Sequence, residues 1–216
     1  VVGDNGWDLI GSPVDELSIS SFASSNNGSL ATNGSSPTTY AIGVYDNSTD
    51  TWTNYNSSTV GSTTFDIGKG YQMASQSGQT LSFTGDIATT DQTQAIQDYS
   101  GASGRRWNLV ANPFPSYING NDDAHSTNNF LTVNATKMDS PYVAIYGYDA
   151  DGSGYTAYNH TYNSNTAVRI APGQAFMVAS NSASSDNVSF TNAMRTVLGG
   201  DDFIVGDDIY DSQEVV

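Results

Sequence analysis

The chain repeats itself. Gly6-Trp7-Asp8-Leu9-Ile10-Gly11-Ser12-Pro13 returns as Arg106-Trp107-Asn108-Leu109-Val110-Ala111-Asn112-Pro113, at an offset of 100 residues. Tyr45-Asp46, followed by Trp52, Tyr55 and Asn56, matches Tyr148-Asp149, followed by Tyr155, Tyr158 and Asn159, at an offset of 103. Gly68-Lys69-Gly70-Tyr71-Gln72-Met73-Ala74-Ser75 then corresponds to Gly173-Gln174-Ala175-Phe176-Met177-Val178-Ala179-Ser180 at 105, and Leu81-Ser82-Phe83-Thr84 to Val188-Ser189-Phe190-Thr191 at 107. Offsets that grow slowly along the chain are those of a duplicated unit with loop insertions. Any fold for the chain must therefore be buildable twice.

Each copy is a series of short runs rich in Tyr, Val, Ile, Thr and Phe between clusters of Gly, Asn, Asp and Ser, the pattern of strands joined by turns. Read in order, a copy is a Trp-led strand, a variable polar loop, a hairpin, a strand after a Gly turn, and a closing Ser-Phe-Thr strand. Such strands predict an all-β, antiparallel, jelly-roll-like β-sandwich built from two homologous halves. The expected divisions are residues 1–98, 99–195 and an acidic segment over 196–216. Trp7 and Leu9, like Trp107 and Leu109, alternate with polar Asp8 and Asn108, which predicts that the Trp-Leu face is the core and both tryptophans are core anchors. Pro13 and Pro113 end these strands. The best helical candidate spans residues 90–99, weakened by few apolar residues and no evident cap. Residues 85–104 read as either a linker or an extra hairpin.

Composition narrows the function. Six Lys and Arg against 22 Asp and Glu give a formal charge of -16, a field that repels nucleic acid and anionic membranes. Glu16 and Glu214 are the only glutamates. The remaining acid is Asp, a turn residue, so the charge belongs to loops. The chain contains no cysteine, which excludes disulfides, thiolate metal sites and a cysteine nucleophile. No apolar run approaches the roughly 20 residues needed to cross a bilayer, so direct membrane insertion by a helix is not expected.

Trp107-Asn108-Leu109-Val110-Ala111-Asn112-Pro113-Phe114-Pro115-Ser116-Tyr117-Ile118 resembles a segment recurrent in large proteins of Bacteroidetes exported by the type IX secretion system, among them adhesins and polysaccharide-degrading enzymes. The resemblance extends to Ile170-Ala171-Pro172-Gly173-Gln174-Ala175-Phe176 and Ser189-Phe190-Thr191-Asn192-Ala193-Met194, and more weakly to the first copy. It implies a β-rich passenger module at an extracellular or cell-surface location, with other domains of the same polypeptide as partners, and carries no catalytic residues over. The sorting domain of such proteins is not recognisable after Met194, so a fragment of a longer polypeptide is expected.

Two sets of residues could bind a ligand. Asp149-Ala150-Asp151-Gly152-Ser153-Gly154 places oxygen side chains at positions one, three and five and Gly at six, the first half of a calcium loop. Asp46, Ser48 and Asp50 repeat the oxygens in the other copy, whereas position twelve after Asp149 is His160 and not the bidentate Glu of a complete loop. The competing reading is a solvated hairpin turn. Asp201, Asp202, Asp207, Asp208 and Asp211 form a second acidic group, more often a solvated tail. The other set is aromatic. Trp52, Tyr55, Tyr155 and Tyr158 occupy equivalent hairpins, and exposed rings there could stack on a polysaccharide or surface glycan, although the same rings suit cross-strand pairing. His125 and His160 lie in loop settings without metal spacing or a nucleophile elbow, so no catalytic residues are selected. The expectation is a non-catalytic structural or adhesive module, with an accessory carbohydrate-binding module as the alternative.

Overall fold

The structure, a computed structural model, describes residues 6–77, 79–99, 105–149, 154–161 and 166–199. In the first copy, β1 (Asp8–Gly11) is followed by helix α1 (Ile19–Ser25), the hairpin β2 (Thr39–Asp46) and β3 (Thr51–Asn56), and β4 (Gly70–Met73). After β5 (Gln92–Ile96), the second copy runs β6 (Trp107–Ala111), β7 (Tyr117–Asn119), α2 (Phe130–Asn134), the hairpin β8 (Ile145–Asp149) and β9 (Gly154–Tyr158), β10 (Arg169–Ile170), β11 (Ala175–Ala179), β12 (Asp186–Phe190) and β13 (Arg195–Thr196). All pairings among these strands are antiparallel, and the fold is an all-β, sandwich-like assembly of several sheets.

The two four-stranded sheets share one connectivity. The first has the order β1-β4-β2-β3 and the second β6-β11-β8-β9, strand for strand equivalent. Register follows the repeat as well: Tyr45 pairs with Trp52 and Tyr148 with Tyr155, while Gly11 pairs with Gly70 and Ala111 with Ala175. Smaller sheets, β10-β7-β13 and β12-β5, complete the second copy.

Each four-stranded sheet covers its own core with one face. In the first copy, Ile42, Tyr71 and Met73 meet Ile19, Phe22 and Ala23 of α1 together with Phe65 and Val60. In the second, Val110, Ile145, Phe176 and Val178 meet Phe130 and Leu131 of α2, Ile118 of β7, Ile170 of β10 and Val188 and Phe190 of β12. The other faces of the two sheets meet back to back through Leu9, Leu109, Ala111, Ala175 and Met177. Both sheets are thus apolar on both faces where they meet, which explains the unbroken Leu-Ile-Gly and Leu-Val-Ala runs at the ends of β1 and β6.

The junction is reciprocal. The Gly11 amide donates to the Gly173 carbonyl (2.7 Å), and the Ala111 amide donates to the Gly68 carbonyl (2.8 Å). Positions 11 and 111, and positions 68 and 173, are repeat equivalents, so the contact has the self-complementary form of a two-fold dimer interface within one chain. Both turn glycines sit at positive φ, 79° at Gly68 and 69° at Gly173, a conformation favoured by glycine. Close sheet approach also needs a small residue at Gly70, where a Cβ would lie 2.5 Å from Leu109 Cγ and 2.8 Å from Ala175 Cβ.

Several expectations change. Trp7 is not a core anchor: it is 37% exposed, and Trp107 is half-buried at the junction's rim. The polar residues between them are the buried ones, with Asp8 2% and Asn108 9% exposed. Asn108 is satisfied there, accepting from Asn47 Nδ2 (3.1 Å) and the Gln97 amide (3.0 Å) and donating to the Gln97 (3.1 Å) and Arg106 (2.8 Å) carbonyls. Residues 90–99 hold strand β5 and not a helix, because Gln92–Ile96 finds a full-length partner in β12. The helices lie elsewhere. Ser18 caps α1 by accepting from the Ser21 amide (3.1 Å), and Asn129 caps α2 by accepting from the Thr132 amide (2.8 Å). The closing Ser-Phe-Thr element is a strand only in the second copy, since residues 81–84 of the first have no regular structure.

Candidate functional site

Strand alternation decides which hairpin rings reach the outer edge of the junction. In β3, Trp52 lies on the junction face, whereas Tyr55, an odd number of residues on, turns to the opposite face and packs against the first core. The same rule in β9 sends Tyr155 to the junction face and Tyr158 onto the second core. Of the four aromatic candidates, then, Trp52 and Tyr155 come together, and Tyr55 and Tyr158 serve the cores. Burial accordingly pushes the Tyr55 phenol above its usual range, with the nearby Asp66 charge adding to it.

Beyond the apolar contact of Leu9 and Leu109, aromatic side chains from both sheets line an opening. A cleft of about 400 Å³ is bounded by Tyr45, Trp52, Trp107, Tyr146, Tyr155 and Met177, with Asp50 also on its wall. A neighbouring cleft of about 260 Å³ is bounded by Trp7, Leu9, Trp52, Gln72, Tyr148 and Tyr155. The two are related by the repeat: Trp107 and Trp7, Tyr45 and Tyr148, and Met177 and Gln72 are equivalent positions. Trp52 and Tyr155, themselves equivalent, belong to both clefts and form the partition between them. They are 37% and 49% exposed, enough to offer ring surface to a ligand.

Ring contacts hold this surface. Tyr45 and Trp52 pair across their hairpin with centroids 5.1 Å apart, and Tyr148 and Tyr155 do the same at 5.2 Å. Trp107 stands edge-on to Tyr146 at 4.7 Å and to Tyr142 at 5.8 Å. Such pairs fix ring orientation without any ligand. The Tyr45 hydroxyl donates to Asp50 Oδ1 (2.7 Å). Its phenol is raised well above the usual range, first by burial and then by the Asp50 hydrogen bond and charge, so it stays a neutral donor. Burial likewise raises Tyr146, with Tyr142 adding, and Tyr155, with Tyr148 adding.

The oxygens proposed for calcium take these positions. Asp46 Oδ1 accepts from the Ser48 amide (2.9 Å) and hydroxyl (2.6 Å), closing the turn between β2 and β3. These bonds hold its carboxyl below the usual range. Asp50, at φ 56°, receives the Tyr45 hydroxyl. Asp149 ends β8, and Asp151 and Ser153 lie outside the described residues, as do residues 201–216. Among the described residues, no three His, Asp or Glu side chains gather around a common point. No helix among them is long and apolar enough to cross a membrane.

The remaining titratable cluster lies in the second copy. Asp122 Oδ1 meets His160 Nδ1 (2.9 Å), the Thr132 hydroxyl (2.8 Å) and Asn129 Nδ2 (3.2 Å), tying the start of α2 to the end of β9. These bonds fix the loop before α2 against the end of the β8–β9 hairpin. Trp7, Tyr45, Trp107, Tyr146 and Tyr148 are cleft aromatics beyond the four predicted. Their signal was present in the repeat, since Trp7 and Trp107 lie on the same strand face as Gly11 and Ala111, small residues that mark a close approach of backbones.

No curated protein and no solved structure matches the chain. The model of one family, a domain of unknown function (DUF8693), matches residues 5–208, and the chain, through both of its repeats, belongs to that family.

Proposed function

We propose that the protein is a non-catalytic carbohydrate-binding module of a larger exported bacterial protein, holding a glycan in the aromatic clefts between its two repeats. The observation that carries this reading is the gathering of Trp7, Tyr45, Trp52, Trp107, Tyr146 and Tyr155 from both copies along one edge of the junction. Sugar rings have an apolar face that stacks on indole and phenol rings, and hydroxyl edges that need hydrogen bonds. Gln72 and Asn54 supply polar groups beside the rings, joined by a bond from Gln72 Nε2 to Asn54 Oδ1 (2.9 Å). An open, rigid, ring-lined groove on a sheet scaffold suits a chain-like ligand better than a small one enclosed on all sides. Export and surface display rest on the resemblance of residues 107–118 to type IX passenger segments.

A glycan array followed by affinity electrophoresis against the polysaccharides it selects tests the reading. The expected outcome is retention by at least one polysaccharide, weakened about thirtyfold by Trp52→Ala, equivalent to about 2 kcal/mol for losing a central aromatic contact. Tyr55→Phe, on the core face, leaves retention unchanged. The absence of binding to any glycan would overturn the proposal in favour of a purely structural or adhesive spacer.

A further inference from the structure

We infer that the larger cleft selects saccharides bearing a protonated amine, such as oligomers of glucosamine, over their N-acetylated, neutral and uronic counterparts; the inference rests on the carbohydrate-binding reading above. The larger cleft carries a carboxylate. Asp50 stands on its wall beside Tyr45, Trp52, Trp107, Tyr146 and Tyr155, whereas among the described residues the smaller one is lined by no charged side chain, and residue 153, the repeat equivalent of Asp50, lies outside the described residues. Aromatic faces carry negative potential, and a cation within about 6 Å of several of them is attracted without a full counter-charge. A carboxylate at the edge of such a set adds direction. Asp50 is oriented for this by the Tyr45 hydroxyl, which occupies Oδ1 at 2.7 Å. Oδ2 then remains the oxygen with which an ammonium would pair.

Charge around the cleft agrees. None of the residues lining either cleft is Lys or Arg. The nearest basic side chain in sequence to Trp107, Arg106, is already engaged by Asp139 and lies over the Tyr142 ring (5.3 Å). A uronic acid would therefore bring its carboxylate to Asp50 with nothing to compensate, inside a chain of formal charge -16. Like charges placed together in this way are the usual means by which a site rejects a competitor. A glucosamine unit offers what the cleft lacks: a pyranose face for Trp52 or Tyr155 and one positive charge for Asp50 and the surrounding rings.

The test uses calorimetry on the full 216-residue chain with four hexasaccharides: glucosamine, N-acetylglucosamine, cello-oligosaccharide and oligogalacturonate, at pH 5.5 where the amine is protonated. The glucosamine oligomer is expected to bind about tenfold or more tightly than its acetylated twin, in line with one desolvated cation contact. Asp50→Asn, which keeps an oxygen to accept from Tyr45, should bring the two within about twofold, and Trp52→Ala should weaken both. Equal affinity for the amine and acetyl forms, with no effect of Asp50→Asn, overturns the selectivity while leaving the carbohydrate reading intact. Glucosamine binding that survives both substitutions is the attraction of a polycation to the whole acidic surface and also overturns it. No titration with any of the four, in the native chain, overturns the carbohydrate reading itself for these sugars.

Discussion

The two repeats share a sheet and differ in what lies behind it. In each, an asparagine that follows or ends the short helix clamps the closing segment with the same three bonds. Asn26 donates to the Phe22 and Ser82 carbonyls and accepts from the Ser82 amide; Asn134 donates to the Phe130 and Ser189 carbonyls and accepts from the Ser189 amide. Phe22 stacks on Phe83 (4.6 Å) as Phe130 does on Phe190 (5.1 Å). Yet Ser189 and Phe190 belong to β12, paired with β5, while Ser82 and Phe83 have no regular strand structure. The second copy also has the strands β7, β10 and β13, where in their place the described residues of the first hold only the isolated bridges Ser18–Thr64 and Asp15–Asp86. What stayed constant is therefore the sheet, the helix clamp and the junction; what diverged is the outer wall. A duplicated unit whose twin covers one face needs only that face to remain complementary, and its far side is free to vary.

Core truncation should expose this asymmetry most strongly. Phe22→Ala and Phe130→Ala each remove a ring that is at most 1% exposed, a change that costs about 3–5 kcal/mol in a packed core. Because the repeats share the Leu9, Leu109, Ala111, Ala175 and Met177 cluster, both variants are expected to lower one common unfolding transition, read in urea by tryptophan fluorescence and by far-UV circular dichroism. Two separate transitions, with Phe22→Ala moving only the one reported by Trp7 and Trp52, would show that the repeats unfold independently and that the junction does little for stability.

Sequence comparison within the chain made the duplicated sheet visible, because equivalent strands kept Gly, Pro and aromatic residues at fixed spacing. The assignment of faces did not follow. In Trp-Asn-Leu-Val-Ala, alternation separates Trp107, Leu109 and Ala111 from Asn108 and Val110, but both sets contain apolar residues and both are buried, one in a core and one at the junction. Period-two patterning names the faces of a strand and loses its power when neither meets water. The helices escaped for a different reason. α1 has 7 residues and α2 has 5, so each shows a single turn of apolar spacing, too short to rise above its polar surroundings, although the caps Ser18 and Asn129 were readable. Trp52 and Tyr155 were found in the candidate site because they are repeat equivalents at a hairpin. Strand parity separates Tyr55 and Tyr158 from them, since an odd spacing from Trp52 and Tyr155 turns both to the core faces.

The junction offers a sharper comparison at Gly11 and Ala111, equivalent positions that differ by one methyl group. A Cβ at Gly11 would collide with that of Ala111 and lie 2.7 Å from the Lys69 carbonyl oxygen. Gly11→Ala is therefore expected to destabilise by about 1–3 kcal/mol through overpacking. Exchanging the two residues, as Gly11→Ala with Ala111→Gly, removes the methyl collision and leaves the carbonyl contact. The double variant should recover part of the lost stability by thermal melting. No recovery would mean that the two sides of the junction are not interchangeable and that the Lys69 carbonyl sets the limit by itself.

The smallest effect separates the repeats by acid. Burial raises the Asp122 carboxyl, but hydrogen bonds from His160, Thr132 and Asn129, with the His160 charge, outweigh it and hold the group below the usual carboxylate range. In the first repeat, the turn after β3 is closed instead by Asn56, which accepts from the amides of Ser58 (3.0 Å) and Thr59 (3.1 Å) and does not titrate. A carboxyl whose folded pKa lies below its unfolded value of about 3.9 contributes stability that is complete above that value and lost as pH falls through the folded one. Asp122 and His160 are both partly exposed, with side chains 42% and 34% accessible, so solvent screening limits the contribution to under about 1 kcal/mol, or about 2–4 °C in melting temperature for a chain of this size. Asp122→Asn should lower the melting temperature at pH 7 by up to that amount and leave the two proteins alike near pH 2. Curves that run parallel from pH 7 to pH 2 would show that the Asp122 cluster orders the loop through its neutral hydrogen bonds alone, and that the charged difference between the two repeats has no thermodynamic weight.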